Sequence, residues 1–262
     1  MHVSVFSIIC MVISAVISIG LPVALFIFAY KKYNAKFLPL VIGAAAFIIF
    51  VLILEQLVHS FVFKAFPLRE KPFLYIIYGI AMAGIFEETA RFISFKILLK
   101  RKYTGIQTSL SYGIGHGGIE SVIIVGINII AAIVISILIN TGNSALLTGN
   151  LQGAALVQIE TQIRTILTTP PYMFLLSGLE RMFAIVIQIA LSVIVFYSVF
   201  CKGKIWLYPL AILLHAIADI SAAAYQVGII TNVFAVECLV GLCAILITLF
   251  SMAVHKKLKI EL

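Results

Sequence analysis

VSVFSIICMVISAVISIGLPVALFIFAY, residues Val3–Tyr30, runs for 28 positions without a charged side chain. At about 1.5 Å per residue, such a helix is longer than the roughly 30 Å hydrocarbon layer of a bilayer. It is too long for the apolar core of a signal peptide, and no basic cluster precedes it. The stretch therefore reads as a retained first membrane helix. Six further apolar runs follow at Phe37–Phe63, Phe73–Leu99, Ile106–Asn140, Tyr172–Phe200, Ile205–Gln226 and Ile229–Val254. The composition agrees. Of 262 residues, 63% are hydrophobic and 11% charged, too few polar groups to cover a soluble core of this size. A membrane barrel would show short alternating strands instead. The expected fold is all-α: a polytopic bundle of about seven transmembrane helices forming a single domain over 1–262.

The distribution of charge predicts an orientation. Lys31, Lys32, Lys36, Lys100, Arg101, Lys102, Lys202, Lys204, Lys256, Lys257 and Lys259 fall on one side of the seven spans. Lys64, Arg69, Lys71 and Arg164 fall on the other. Positive loops stay inside, which puts the N-terminus outside and the C-terminus in the cytoplasm. The net charge of +8 sits in these short loop clusters, so nucleic acid is not an expected partner. Cys10, Cys201, Cys238 and Cys243 lack metal-ligand spacing and read as small buried hydrophobes.

Two features of the connections stand out. The fourth span is long for a single crossing, so tilt or an overhanging end is expected. Its first half carries Gly113, Gly115, Gly117 and Gly118, which would let neighbouring helices approach closely. The longest loop, Thr141–Pro171, places Ala155, Leu156, Ile159, Ile163, Ile166 and Leu167 at helical spacing. Gln158, Thr161, Gln162 and Thr165 take the opposite face, which predicts a surface helix.

Ionisable side chains within spans are costly and mark function or paired structure. Span three reads Glu87-Glu88-Thr89-Ala90-Arg91, span four holds His116 and Glu120, and span six holds His215 and Asp219. Each histidine shares a helix face with the acid four residues later, and Arg91 can reach either glutamate. Counted from the charged ends of their helices, Glu88 lies roughly 18 Å deep and both histidines roughly 16 Å deep. Three helices thus deliver acids and imidazoles to one plane. Glu87 or Glu88 is expected within about 6 Å of both His116 and His215, the reach of a direct or water-bridged contact.

The side chains allow several chemistries. A glutamate beside a histidine can deprotonate water and later protonate a leaving amine. Glu87 and Glu88, side by side, resist ionising together. His116, His215 and Glu87 could instead hold a divalent metal such as zinc. Glu120 and Asp219 are placed to orient the histidines. A buried network gluing helices together is the structural alternative. No His-Glu-x-x-His helix or Gly-x-Ser-x-Gly elbow occurs, and Asp219 is the sole aspartate, which excludes a diaspartyl pair. Glu55 with His59, and Glu180 with Arg181, count to the opposite face, where they could pair across helices.

Glu-Glu-x-x-Arg, His-x-x-x-Glu and His-x-x-x-Asp, in that order on separate membrane helices, resemble the YhfC family, which belongs with the PrsW-type and CAAX-type intramembrane proteases. The resemblance covers nearly the whole chain. It implies that Glu87 or Glu88 activates water and that His116 and His215 help bind the water and the scissile carbonyl. In CAAX-type enzymes the first glutamate of the pair is the base, which favours Glu87. Those enzymes place the arginine one residue later and usually carry asparagine where Asp219 stands, so the spacing here is closer to PrsW. The resemblance further implies a bacterial cytoplasmic membrane and a membrane-bound peptide or protein substrate. The expected function is therefore an intramembrane endopeptidase. Its rivals are a non-catalytic membrane scaffold, as a gamma-secretase subunit of similar fold shows, and a proton- or ion-coupled transporter.

Overall fold

The computed structural model describes residues 2–258, and every regular element among them is helical. The long helices are α1 (Val5–Tyr33), α2 (Phe37–Ala65), α3 (Pro72–Leu99), α4 (Gln107–Asn140), α5 (Gly153–Thr168), α6 (Pro171–Phe200), α7 (Leu207–Gln226) and α8 (Val233–Leu258). All but α5 are long and apolar enough to cross a bilayer, which makes this a multi-pass membrane protein.

Local chemistry sets the helix ends. The Ser4 hydroxyl accepts from the Ser7 amide at 2.9 Å and starts α1. Asn34, in the left-handed region at φ 55°, stops it. Pro72 and Pro171 open α3 and α6, where a missing N–H costs nothing. The last span begins at Val233 rather than at the expected Ile229. Gly228, at φ +76°, breaks the chain direction there, and the Asn232 side chain accepts from the amides of Phe234 (3.0 Å) and Ala235 (3.3 Å). That cap fixes the first turn four residues later than hydropathy suggests. At its other end α8 continues past Val254 through the basic residues Lys256 and Lys257. Lys259 lies outside the described residues.

The chain forms two compact units. The first joins the N-terminal stretch ending at Leu21 to Ser121–Met182. Within it, Asn140 at the end of α4 pairs with the Val3 backbone, accepting from its N–H at 2.8 Å and donating to its carbonyl at 2.9 Å. Met11, Ile135, Ile139, Ile163, Ile166 and Phe174 build its core. The amphipathic helix expected in the long loop forms as α5, with Ile163 and Ile166 buried in that core and Gln158, Thr161, Gln162 and Thr165 exposed.

The second unit comprises Pro22–Glu120 and the chain from Phe183. Its centre is α6: 72% of the most apolar stretch of this span is buried, against 22–33% in the others. The glycines of α4 are divided among neighbours. A Cβ on Gly113 would stand 2.7 Å from Ile189 Cα of α6, and one on Gly117 would stand 2.9 Å from Gln188 Cβ. A Cβ on Gly115 would meet the Leu40 carbonyl of α2 at 2.0 Å, and one on Gly118 would meet Pro22 at 2.9 Å. α4 thus enters at van der Waals contact on several sides, as close packing without side chains allows. Gly115→Ala is expected to cost about 1–3 kcal/mol, because a backbone carbonyl cannot step aside. Gly79→Ala, with nothing within 4 Å of its Cβ, should leave stability unchanged or raise it slightly. Thermal melting of both variants in detergent checks this, and equal melting temperatures would contradict it.

Candidate active site

Each functional side chain is brought to the second unit's interior by a specific packing device. α3 and α7 approach closely at Gly84, where a Cβ would stand 2.8 Å from the Ile212 carbonyl. The Thr89 and Tyr208 hydroxyls bond at 2.7 Å, and Tyr208 stacks on Phe92 with centroids 4.6 Å apart. This contact sets Glu87, Glu88 and Arg91 of α3 opposite His215 and Asp219 of α7. The glycines of α4 set His116 beside them. His116 stacks on Tyr112 at 5.9 Å and meets Phe47 of α2 edge-on at 5.3 Å, so its ring is fixed from two sides.

The groups form one buried network. Glu88, Arg91 and His116 are fully buried, and Glu87, Glu120, Gln188 and His215 nearly so. Asp219 is the exposed member, with 40% of its side chain accessible. Glu87 Oε2 accepts from His116 Nε2 at 2.9 Å and from Gln188 Nε2 at 2.8 Å. Glu87 Oε1 lies 3.8 Å from His215 Nε2. Glu88 Oε1 accepts from His215 Nδ1 at 2.7 Å and from the Arg91 guanidinium. Arg91 also donates to the Gln188 carbonyl oxygen and stands 3.9 Å from Glu87. Gln188 Nε2 donates a second bond to Glu120 at 2.7 Å. An ionised carboxylate can only accept, so these contacts fix proton positions. His116 carries its proton on Nε2 and His215 on Nδ1. His215 Nε2 faces Glu87 Oε1 and Asp219 Oδ2, the latter 3.6 Å away. The network sets the buried carboxylates beside a guanidinium and two imidazoles, with His215 Nε2 and Glu87 Oε1 facing one another.

This constellation can be compared with known proteins. The sequence description of the YhfC intramembrane metalloprotease family matches residues 17–240. A Bacillus subtilis (strain 168) protein described as "Uncharacterized membrane protein YhfC" is 37% identical over 246 residues, covering 92% of this chain and 93% of its own. The chain belongs to the YhfC family. No solved structure matches it.

The YhfC family description names a metalloprotease, and the side chains suit a metal in kind. The Nδ1–H of His215 is held by the Glu88 carboxylate, the arrangement that orients imidazole ligands in many zinc proteins. His116 and Glu87 supply two further donors of the right type. In position the groups are set for hydrogen bonding. Among the described residues, no group of three or more His, Cys, Asp or Glu is arranged to hold an ion as it stands. Ligation would require His116 and Glu87 to exchange their mutual hydrogen bond for the ion.

All seven site residues named from the YhfC-like motifs meet here, and two others join them. Gln188 is the hub that motif reading missed: its amide ties Glu87, Glu120 and Arg91 together. The signal was a lone uncharged polar residue in the apolar run Ala184–Leu191, which hydrocarbon surroundings oblige to find partners. Glu55 was assigned to a distant polar pair. It is buried, stands 3.2 Å from His59 Nε2, and lies close enough for the charges of Glu87, His215 and Asp219 to act on it. His59 in turn bonds the Tyr78 hydroxyl at 2.8 Å. Glu180 pairs with Arg181, its neighbour on α6.

Proposed function

We propose that this YhfC protein hydrolyses a peptide bond in a membrane-bound peptide or protein substrate, with Glu87 accepting the proton of the attacking water. The observation that carries this is the placement of Glu87 between the two imidazoles, 2.9 Å from His116 Nε2 and 3.8 Å from His215 Nε2. Glu88 is the less suited of the pair, because the Arg91 guanidinium bonds it directly and stands 3.9 Å from Glu87. In this reading the attacking water bridges Glu87 Oε1 and His215 Nε2, which stand 3.8 Å apart. Glu87 takes its proton as the oxygen attacks the carbonyl carbon, and the proton then passes to the leaving amine. The His116 Nε2–H, drawn from Glu87 toward the carbonyl oxygen, stabilises the developing negative charge. Arg91 and Gln188 hold Glu87 in place throughout. Where a divalent ion is bound, His116, His215 and Glu87 would hold it, and it would supply Lewis-acid polarisation and a more acidic water.

Elemental analysis of purified protein, together with cleavage assays in chelator, tests the metal part of this reading. About one equivalent of zinc or a similar ion, with activity lost in chelator and regained on adding the ion, is expected for the metal-assisted form. Less than a tenth of an equivalent with full activity in chelator would exclude it.

We further propose that the N-terminus and α5 face outward and that Lys256 and Lys257 face the cytoplasm, from the loop charges. A cysteine at position 257 is expected to react with an impermeant maleimide only after cells are permeabilised, and one at position 152 in intact cells. The opposite labelling would reverse the orientation.

A further inference from the structure

Apart from the carboxylate–histidine network, the second unit contains a cavity of about 460 Å³ between α6 and α8. That volume lies within the roughly 300–1,000 Å³ usual for a small-molecule site. Val193, Thr248, Ser251 and Met252 line it, and Tyr33 and His255 close one end. The walls are mostly hydrocarbon. The polar exceptions are Tyr33, Thr248, Ser251 and His255. Thr248 Oγ1 is buried there with no hydrogen-bond partner. His255 is held by the Tyr197 hydroxyl, 2.5 Å from its Nδ1.

The flanks of that end are cationic. Lys32 Nζ lies 5.5 Å from the centroid of the lining Tyr33 ring and 5.1 Å from that of Phe28. Lys256 and Lys257 follow His255 directly and are exposed. Ser251 stands five residues before Lys256 on α8, or roughly 7 Å along the helix axis. That matches the thickness of the interfacial layer of one leaflet, about 5–7 Å. An apolar slot, hydroxyls one to two turns deeper, and lysines at the mouth follow the order of an acyl chain, its ester and a phosphate.

We infer that this cavity is a binding site for one anionic phospholipid. Its acyl chain occupies the slot between α6 and α8, Thr248 Oγ1 donates to an ester carbonyl, and Lys32 and Lys256 hold the phosphate. The site shares no residue with the carboxylate–histidine network and stands independently of the proposed proteolysis. A neutral lipid would fill the slot equally well but would leave the lysines without a counter-charge, so charge separates the candidates.

Native mass spectrometry of the full chain tests this, with dioleoyl phosphatidylglycerol and dioleoyl phosphatidylcholine offered at equal concentration. One phosphatidylglycerol per chain should be retained in preference to phosphatidylcholine. Lys32→Gln with Lys256→Gln should weaken phosphatidylglycerol about fivefold per lysine and leave phosphatidylcholine unchanged. Both lysines are exposed, so folding is not at stake. Lys96→Gln with Lys100→Gln, on and just after α3, none of whose residues line the slot, should keep the preference. Met252→Trp, at the exposed wall, should release both lipids. Equal retention of the two lipids by the wild type would overturn the inference. So would an equal loss in the Lys96/Lys100 pair, retained phosphatidylglycerol in Met252→Trp, or a lipid-free dimer whose interface covers the slot.

Discussion

Glu87→Gln is expected to reduce proteolysis by at least about 10²–10⁴-fold, the usual loss when a general base is removed, while leaving the fold intact. A glutamine oxygen can still accept from His116 Nε2 and Gln188 Nε2, as Glu87 Oε2 does. Its amide N–H can face His215 Nε2, which lies near Glu87 Oε1. Every hydrogen bond has a replacement, and only the proton acceptor is lost. His116→Ala and His215→Ala should lose comparable activity. Double variants should lose little more, because groups that act as one unit are not additive. Glu180→Gln, which removes a charge bonded to Arg181, should cleave normally. The measurement is cleavage in proteoliposomes at matched protein amounts. A non-catalytic scaffold would instead tolerate Glu87→Gln, and a transporter would show an altered pH dependence of flux with no bond cut.

Arg91→Met should produce the largest loss of stability. Arg91 is fully buried, donates to Glu88 and to the Gln188 carbonyl, and stands 3.9 Å from Glu87. Removing it leaves two neighbouring buried carboxylates without their guanidinium counter-charge. Breaking one side of a buried ion pair costs about 3–5 kcal/mol. The remaining charge is the cause, so Glu88→Gln in the Arg91→Met background should recover part of the loss. Unfolding in mixed micelles by denaturant reads both effects. A loss below about 1 kcal/mol, or no recovery in the double variant, would show that Arg91 is not the counter-charge.

The membrane fold was legible because hydrocarbon imposes one rule on every span. Runs such as Val3–Tyr30 need no tertiary information to be recognised. The boundary of the last span was not legible from hydropathy, since Ile229 and Ile230 are apolar yet precede the Asn232 cap. The glycines of α4 announced close packing, but not that Gly113 and Gly117 would face α6 while Gly115 faced α2. For the site, common depth along separate helices brought Glu87, Glu88, His116 and His215 to one plane. Depth says nothing about azimuth, however. Gln188 and Glu55 were missed for that reason: one is uncharged, and the other was placed by counting along its helix alone. A polar side chain in a span is better judged by what its neighbours need than by its own charge.

The central claim is that water, activated at Glu87, cuts a peptide bond within the membrane. The most direct measurement is a comparison of new protein N-termini in bacterial membranes containing wild type or Glu87→Gln at equal expression. New termini at or near membrane segments in the wild type, absent with Glu87→Gln, are the predicted result. Identical termini in the two membranes, with Glu88→Gln also unchanged, would contradict it.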